Sequence, residues 1–203
     1  SLLLTVFLVI STVLYGIPKA AEVIAHEFPN FTTEKFSDGM AVLDRTLFEP
    51  STLSEEKQQY YEKAFQPLLK DHASLNPRVF FRSGIGPNAF ALPNGEIVFT
   101  DELIELANND NELFAILFHE LGHLKHKHVA RRTIQNVMIT LMALFIIGDI
   151  NSADIVTALP ALFLDLSYSR EFEREADKYA VEQLVKANIP VDSFVSIMQK
   201  LQE

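Results

Sequence analysis

The sequence predicts a mainly helical α+β domain with a small antiparallel sheet, and three observations predict it. At 203 residues the chain is long enough to bury one sizeable core. Apolar residues recur at helical spacing in three stretches: Tyr61, Ala64, Phe65, Leu68 and Leu69; Leu113, Ile116, Leu117, Leu121 and Leu124; Phe172, Ala176, Tyr179, Ala180 and Leu184. Between the first and second stretches the period shortens. Residues 79–81, 88–92 and 96–100 are brief β-prone runs, and Pro93-Asn94-Gly95 joins the last two with hairpin turn chemistry.

The elements follow in chain order. Residues 1–17 carry no charge, consist mostly of Leu, Val, Ile and Phe, and are closed by Pro18 and Lys19. At about 1.5 Å rise per residue this is near the lower limit for crossing a bilayer. The run lacks the Met and basic start of a secretory signal. It reads as the C-terminal part of a transmembrane anchor, with both ends of the sequence continuing into a longer chain; the alternative is a buried core segment. Residues 18–29 are amphipathic, and a polar connection with Thr32, Thr33 and Asp38 follows. Ser54 is placed to cap a helix whose first turn holds Glu55 and Glu56. Pro67 inside that pattern predicts either a kink or two pieces. Residues 109–130 read as one helix, opened by Asn109 with Glu112 three positions on. Two apolar arms, 137–147 and 155–166, flank a polar turn and predict a helical hairpin packed on the domain; a membrane-dipping lid is the lesser reading. The expected organisation is an anchor over residues 1–17 and a domain over 18–203 with a 137–166 hairpin insertion.

Composition excludes several functions. A net charge of −10 argues against nucleic-acid binding, which needs Lys and Arg to displace counterions. With no cysteine there is no thiol nucleophile or disulfide, and a bound metal must take nitrogen and oxygen ligands.

The chemistry lies in His119-Glu120-Leu121-Gly122-His123. Residues i and i+4 stack on one helix face, so both imidazoles converge on one tetrahedral ion. Glu120 stands about 100° round the helix, outside the ligand set but within reach of a water activated there. The bland alternative is a solvated His/Lys helix face, since four of the six histidines fall between His119 and His128. Catalytic zinc needs a third protein ligand, and residues 169–177 open a second helix rich in acids. Glu173 and Asp177 share a face there, suited to one carboxylate on the metal and another on an imidazole N–H. A salt-bridged surface helix is the alternative, because Arg170, Arg174 and Lys178 alternate with the acids. Spacing does not choose among Glu171, Glu173 and Glu175.

The H-E-L-G-H and S-R-x-x-E-x-E-A-D patterns, with the upstream run Asn88-Ala89-Phe90-Ala91-Leu92-Pro93-Asn94-Gly95, resemble the gluzincin membrane peptidases of the HtpX, BepA and Ste-type CAAX prenyl protease group. The three patterns occur in the family's order, from Asn88 to Asp177. The resemblance implies a zincin-like domain built on the HExxH helix, with one zinc ion held by His119, His123 and Glu173. It makes Glu120 the general base and Asp177 the partner of a metal-bound histidine. It makes Asn88, Ala89, Phe90 and Ala91 part of an edge strand that receives peptide by β-augmentation. This chain has only the short 137–166 hairpin where integral-membrane members have full spans, which argues against prenyl-protein processing.

Arg170 is a candidate oxyanion stabiliser or a surface ion-pair partner, and Tyr168 is a poorer candidate. His126 and His128 read as a solvated, basic helix end, while His26 and His72 receive no role. The expected function is a zinc metalloendopeptidase acting on unfolded or damaged proteins in membrane or envelope quality control. The rival is a membrane-anchored, chaperone-like binding protein or adaptor with structural zinc. Only Lys19 lies close behind the anchor, and Glu22, Glu27 and an acidic domain follow. Because positive charge is expected on the cytoplasmic side, this flank favours a catalytic domain on the periplasmic side of a bacterial inner membrane.

Overall fold

A computed structural model of the chain describes residues 2–28, 43–44, 47–147 and 169–202. They fall into two units: residues 33–126 with 169–203, which carry the H-E-L-G-H helix, and residues 1–32 with 127–168.

The first of these units is built on a four-stranded sheet in the order β1-β2-β4-β3, formed by β1 (Glu49–Pro50), β2 (Arg78–Ser83), β3 (Ala89–Ala91) and β4 (Glu96–Thr100). The Pro93-Asn94-Gly95 turn joins β3 and β4 as an antiparallel hairpin, as its sequence predicts. Gly95 adopts φ 91°, and a Cβ there would run into the carbonyl oxygen of Asn76, so both conformation and space require glycine. The hairpin docks on β2 through β4, not through β3. That makes β2 and β4 parallel, Arg78 opposite Glu96 through Arg82 opposite Thr100, and the sheet is therefore mixed. Run composition predicts strands but not which neighbour each will choose, and the parallel pair was not legible. The choice buries every residue of β4 and leaves β3 at the edge, paired only with β4 among the described residues. Thr100 ties the two strands together. Its hydroxyl donates to Asn88 O at 2.9 Å, accepts from Asn88 N at 2.8 Å and caps the next helix through Leu103 N at 3.2 Å.

Helices pack around this sheet. The first, labelled α3 because two helices of the other unit precede it, is Glu55–Lys70, capped by Ser54 Oγ on Lys57 N at 3.3 Å. Pro67 lies inside it without dividing it. The short α4 (Asp101–Leu106) begins at Asp101, whose buried carboxylate accepts from Ser51 Oγ at 2.7 Å and Thr52 Oγ1 at 2.9 Å. That fixes the segment after β1. The core gathers Phe65, Ile97, Phe99, Leu103, Leu113, Leu117 and Leu121 with Leu184 and Ile197 from the last two helices.

The expected single helix over residues 109–130 is two. One, α5 (Asp110–Lys125), ends at His126, and α6 (His128–Ile147) begins after Lys127, which adopts a left-handed φ of 54°. Alternating Lys and His suit a helix end as well as its interior, so the corner left no mark on the apolar pattern. Two more helices complete the unit with α5: α7 (Arg170–Lys186), packed along α5, and α8 (Asp192–Lys200).

In the other unit, α1 (Leu2–Ser11), a π-helical segment (Thr12–Gly16) and α2 (Ile17–Glu27) run in succession. The stretch Leu3–Glu27 is long and apolar enough to cross a membrane, by length and composition, so helix continues beyond the expected boundary at residue 17. Ile17, Ala21 and Ala25 form its buried stripe, and α2 packs on α6. Lys127 Nζ donates to Ala25 O at 3.0 Å, satisfying a carbonyl in the last turn of α2. The first arm of the expected hairpin, 137–147, is the distal half of α6. The second arm, Tyr168 and the Thr32–Thr33–Asp38 connection lie outside the described residues.

Candidate active site

The α5 helix positions the site. Asn109 caps it through Oδ1 on Glu112 N at 3.3 Å. Two turns later it presents His119 (6% exposed), Glu120 (5%) and His123 (1%). The helical stacking expected from the sequence is realised, with the two Nε2 atoms 3.0 Å apart. From α7, Glu173 reaches the same point. Its Oε2 lies 3.5 Å from His119 Nε2 and its Oε1 3.7 Å from His123 Nε2. Of the three candidate glutamates, only Glu173 converges there: Glu171 is exposed, and Glu175 stands 4.0 Å from His126 Nδ1.

These separations test whether an ion fits. A tetrahedral zinc with bonds of about 2.0–2.2 Å has ligand–ligand edges of roughly 3.3–3.6 Å. The three observed edges lie within about 0.3 Å of that range, and two imidazoles with one carboxylate form a known catalytic donor set. A buried polar atom without a hydrogen-bond partner, Glu120 Oε2, lies beside this cluster. Asp177 Oδ1 is 3.0 Å from His119 Nδ1, though short of hydrogen-bond alignment. It lies on the side of the ring away from the cluster, where a carboxylate fixes the tautomer of a metal-bound histidine.

The electrostatics of the metal-free site follow from burying acids together. Burial pushes the Glu120 carboxyl up to about 7, with Glu173 adding to the rise and His119 and the Ala91 amide opposing it. For His119, burial alone would lower the pKa, but the carboxylates of Asp177, Glu120 and Glu173 outweigh it and hold the imidazole above its ordinary value. Burial likewise raises Glu173, against the pull of His119. A cation at this cluster would compete with protons for the imidazole nitrogens and carboxylate oxygens. Zinc binding should therefore release protons and tighten as pH rises from 6 to 8. Calorimetry in buffers of different ionisation enthalpy measures this directly, and a proton count of zero would contradict it.

The strand residues expected to bind peptide lie beside Glu120. Ala89, Phe90 and Ala91 form the edge strand β3, and the Ala91 backbone amide stands near enough to Glu120 to oppose the rise in its pKa. Arg170 is exposed in the first turn of α7 and forms no ion pair with the site carboxylates among the described residues. Two expectations need correction. His128 is fully buried, so the solvated helix end is not realised there, and His126 is half-buried beside Glu175. His72 is buried as well, with Nδ1 donating to Leu68 O at 2.7 Å between Phe118 and Tyr179, a structural placement.

Sequence reasoning missed the support from α8. Phe194 packs against the His119 ring at 5.9 Å, and Glu112 is more than a capping partner. Its carboxylate accepts from Lys200 Nζ at 2.7 and 2.9 Å, Ser196 Oγ at 2.6 Å and Asn108 N at 2.8 Å. The only sequence signal was the position of Glu112, seven residues before His119 and hence on the same helix face.

Comparison with known proteins agrees with the geometry. The profile of the family described as Peptidase family M48 matches residues 55–202. The mitochondrial metalloendopeptidase OMA1 of Arabidopsis thaliana is 32% identical over 114 residues, 56% of this chain and 23% of that protein. A beta-barrel assembly-enhancing protease from Yersinia pestis is 25% identical over 127 residues, 56% of this chain and 26% of its own. A protease HtpX homolog from Picrophilus torridus is 44% identical over 70 residues, covering 30% of this chain and 22% of its own. The matches span 22–26% of the length of these three relatives.

Proposed function

The chain belongs to Peptidase family M48, and on that footing we propose that it is a zinc-dependent endopeptidase whose ion is held by His119, His123 and Glu173. The observation that carries the reading is the convergence of these three side chains beside the buried Glu120. Bound zinc would supply Lewis acidity, polarising the scissile carbonyl and lowering the pKa of water towards neutrality.

The protein's own groups do the rest. Asp177 orients the His119 imidazole so that Nε2 presents its lone pair. Glu120, buried beside the three ligands, takes a proton from the attacking water and returns it to the leaving amine nitrogen. The outer edge of β3 offers backbone amides and carbonyls to an extended peptide, a mode that reads main chain more than side chains. This suits unfolded or damaged protein as substrate, and the relatives' names, a metalloendopeptidase and a protease, support peptide-bond hydrolysis. The helix Leu3–Glu27 would attach the chain to a membrane, and the scarcity of positive charge behind the apolar run, Lys19 against Glu22 and Glu27, favours a catalytic unit on the side away from the cytosol.

A structural zinc site is usually closed by four protein ligands, whereas three converge here among the described residues, which disfavours the adaptor. Incubating the zinc-loaded full chain with casein should give cleavage that a chelator abolishes and added zinc restores. One zinc per chain with no cleavage would support the adaptor instead.

A further inference from the structure

Gly122 lies where α5 crosses α7. A Cβ built on it would stand 2.9 Å from Ala176 Cα, 3.1 Å from the Ala176 carbonyl oxygen and 3.2 Å from Tyr179 Cβ. The first two are backbone atoms, so no side-chain rotation relieves the contact. Gly122 is not among the glycines with positive φ, so its backbone does not call for glycine. In a helix interior glycine is about 0.5–1 kcal/mol worse than alanine. What the position requires is the absence of a side chain.

The contact is central to the site. Gly122 lies between His119 and His123 on one helix, and Ala176 lies between Glu173 and Asp177 on the other. The separation of the two backbones there decides how far the Glu173 carboxylate reaches towards the imidazoles. An alanine Cβ needs an ordinary contact of 3.4 Å or more where 2.9 Å is available, so the helices must part by about 0.5 Å. Metal–ligand distances tolerate only about ±0.2 Å. The displacement exceeds the tolerance.

We propose that Gly122 is a positioning residue: its closeness to Ala176 sets the helix separation at which Glu173 completes a zinc-sized ligand set. The inference rests on the metal site proposed above. The test measures metal affinity of the full chain by chelator competition, for zinc and for cadmium, whose bonds to nitrogen and oxygen are longer. Gly122→Ala should weaken zinc binding by about 10–100-fold, the range seen when groups that orient ligands are altered. Cadmium binding should fall several-fold less, and the metal-free variant should keep its far-UV spectrum. Leu121→Ala, a core truncation next door that leaves the crossing open, should lower thermal stability yet keep the zinc-to-cadmium ratio. An unchanged ratio in Gly122→Ala, a ratio that moves equally in both variants, or loss of the metal-free fold would each overturn the inference. Glu173→Gln separates the two levels. If it leaves zinc affinity intact, the metal-site reading itself fails; if it weakens zinc while Gly122→Ala does not, only the positioning role fails.

Discussion

Glu120→Gln should lose cleavage activity by a factor of about 10²–10⁴ in kcat/KM while binding zinc as tightly as the parent chain. The substitution keeps size and shape at a buried position, so the packing around α5 is undisturbed. His119, His123 and Glu173 remain in place. What disappears is the ability to take and return a proton. Casein cleavage measured beside zinc content separates the two properties, and undiminished cleavage would sink the mechanism.

Lys200→Met should have the largest effect on stability. Glu112 is only 2% exposed and depends on Lys200, Ser196 and the Asn108 amide. Burial alone would raise its pKa, but these partners, Lys200 first, hold the carboxyl below its ordinary value. Removing one partner of such a buried pair costs about 3–5 kcal/mol, and the lower end applies because the Lys200 side chain is 21% exposed. For a chain of this size that lowers Tm by on the order of 10 °C. The sign of the pH dependence follows from the lowered pKa. The stabilisation is present above the ordinary value of 4.5 and is lost as pH falls through the lower, folded value. The gap between parent and variant should therefore close in acid. Pairing Lys200→Met with Glu112→Gln should recover much of the loss, since the stranded charge is then gone. Metal-free thermal unfolding reads all three proteins, and a shift under about 2 °C would show that the pair contributes little.

The contrast between these two residues shows what the sequence discloses. The placement of Glu120 was legible because it follows from spacing on one helix: His119 and His123 converge, and the acid between them stands aside. Glu173 was half legible. Spacing found its helix but did not choose Glu173 over Glu171 and Glu175. The family resemblance implied it, and the crossing with α5, a long-range fact, is what brings it to the imidazoles. Glu112 and Lys200 are 88 positions apart, and nothing in either segment pairs them. The same limit explains the sheet: hairpin chemistry was written in Pro93-Asn94-Gly95, whereas the parallel pairing of β2 with β4 was not. The corner at Lys127 was hidden for a different reason, because left-handed backbone at a lysine leaves no compositional trace.

The insertion between α5 and α7 has a polymer consequence. Chain leaves the unit that carries the H-E-L-G-H helix just after His123 and returns just before Glu173, so an ion held by both, as proposed, would close a loop of about fifty residues. Counted as a cross-link, that closure removes about 4 kcal/mol worth of freedom from the unfolded chain. The term grows only logarithmically, and doubling the loop adds about 0.6 kcal/mol. The segment between the two ligand helices can therefore lengthen or shorten greatly with little thermodynamic effect on the ligand set that brackets it.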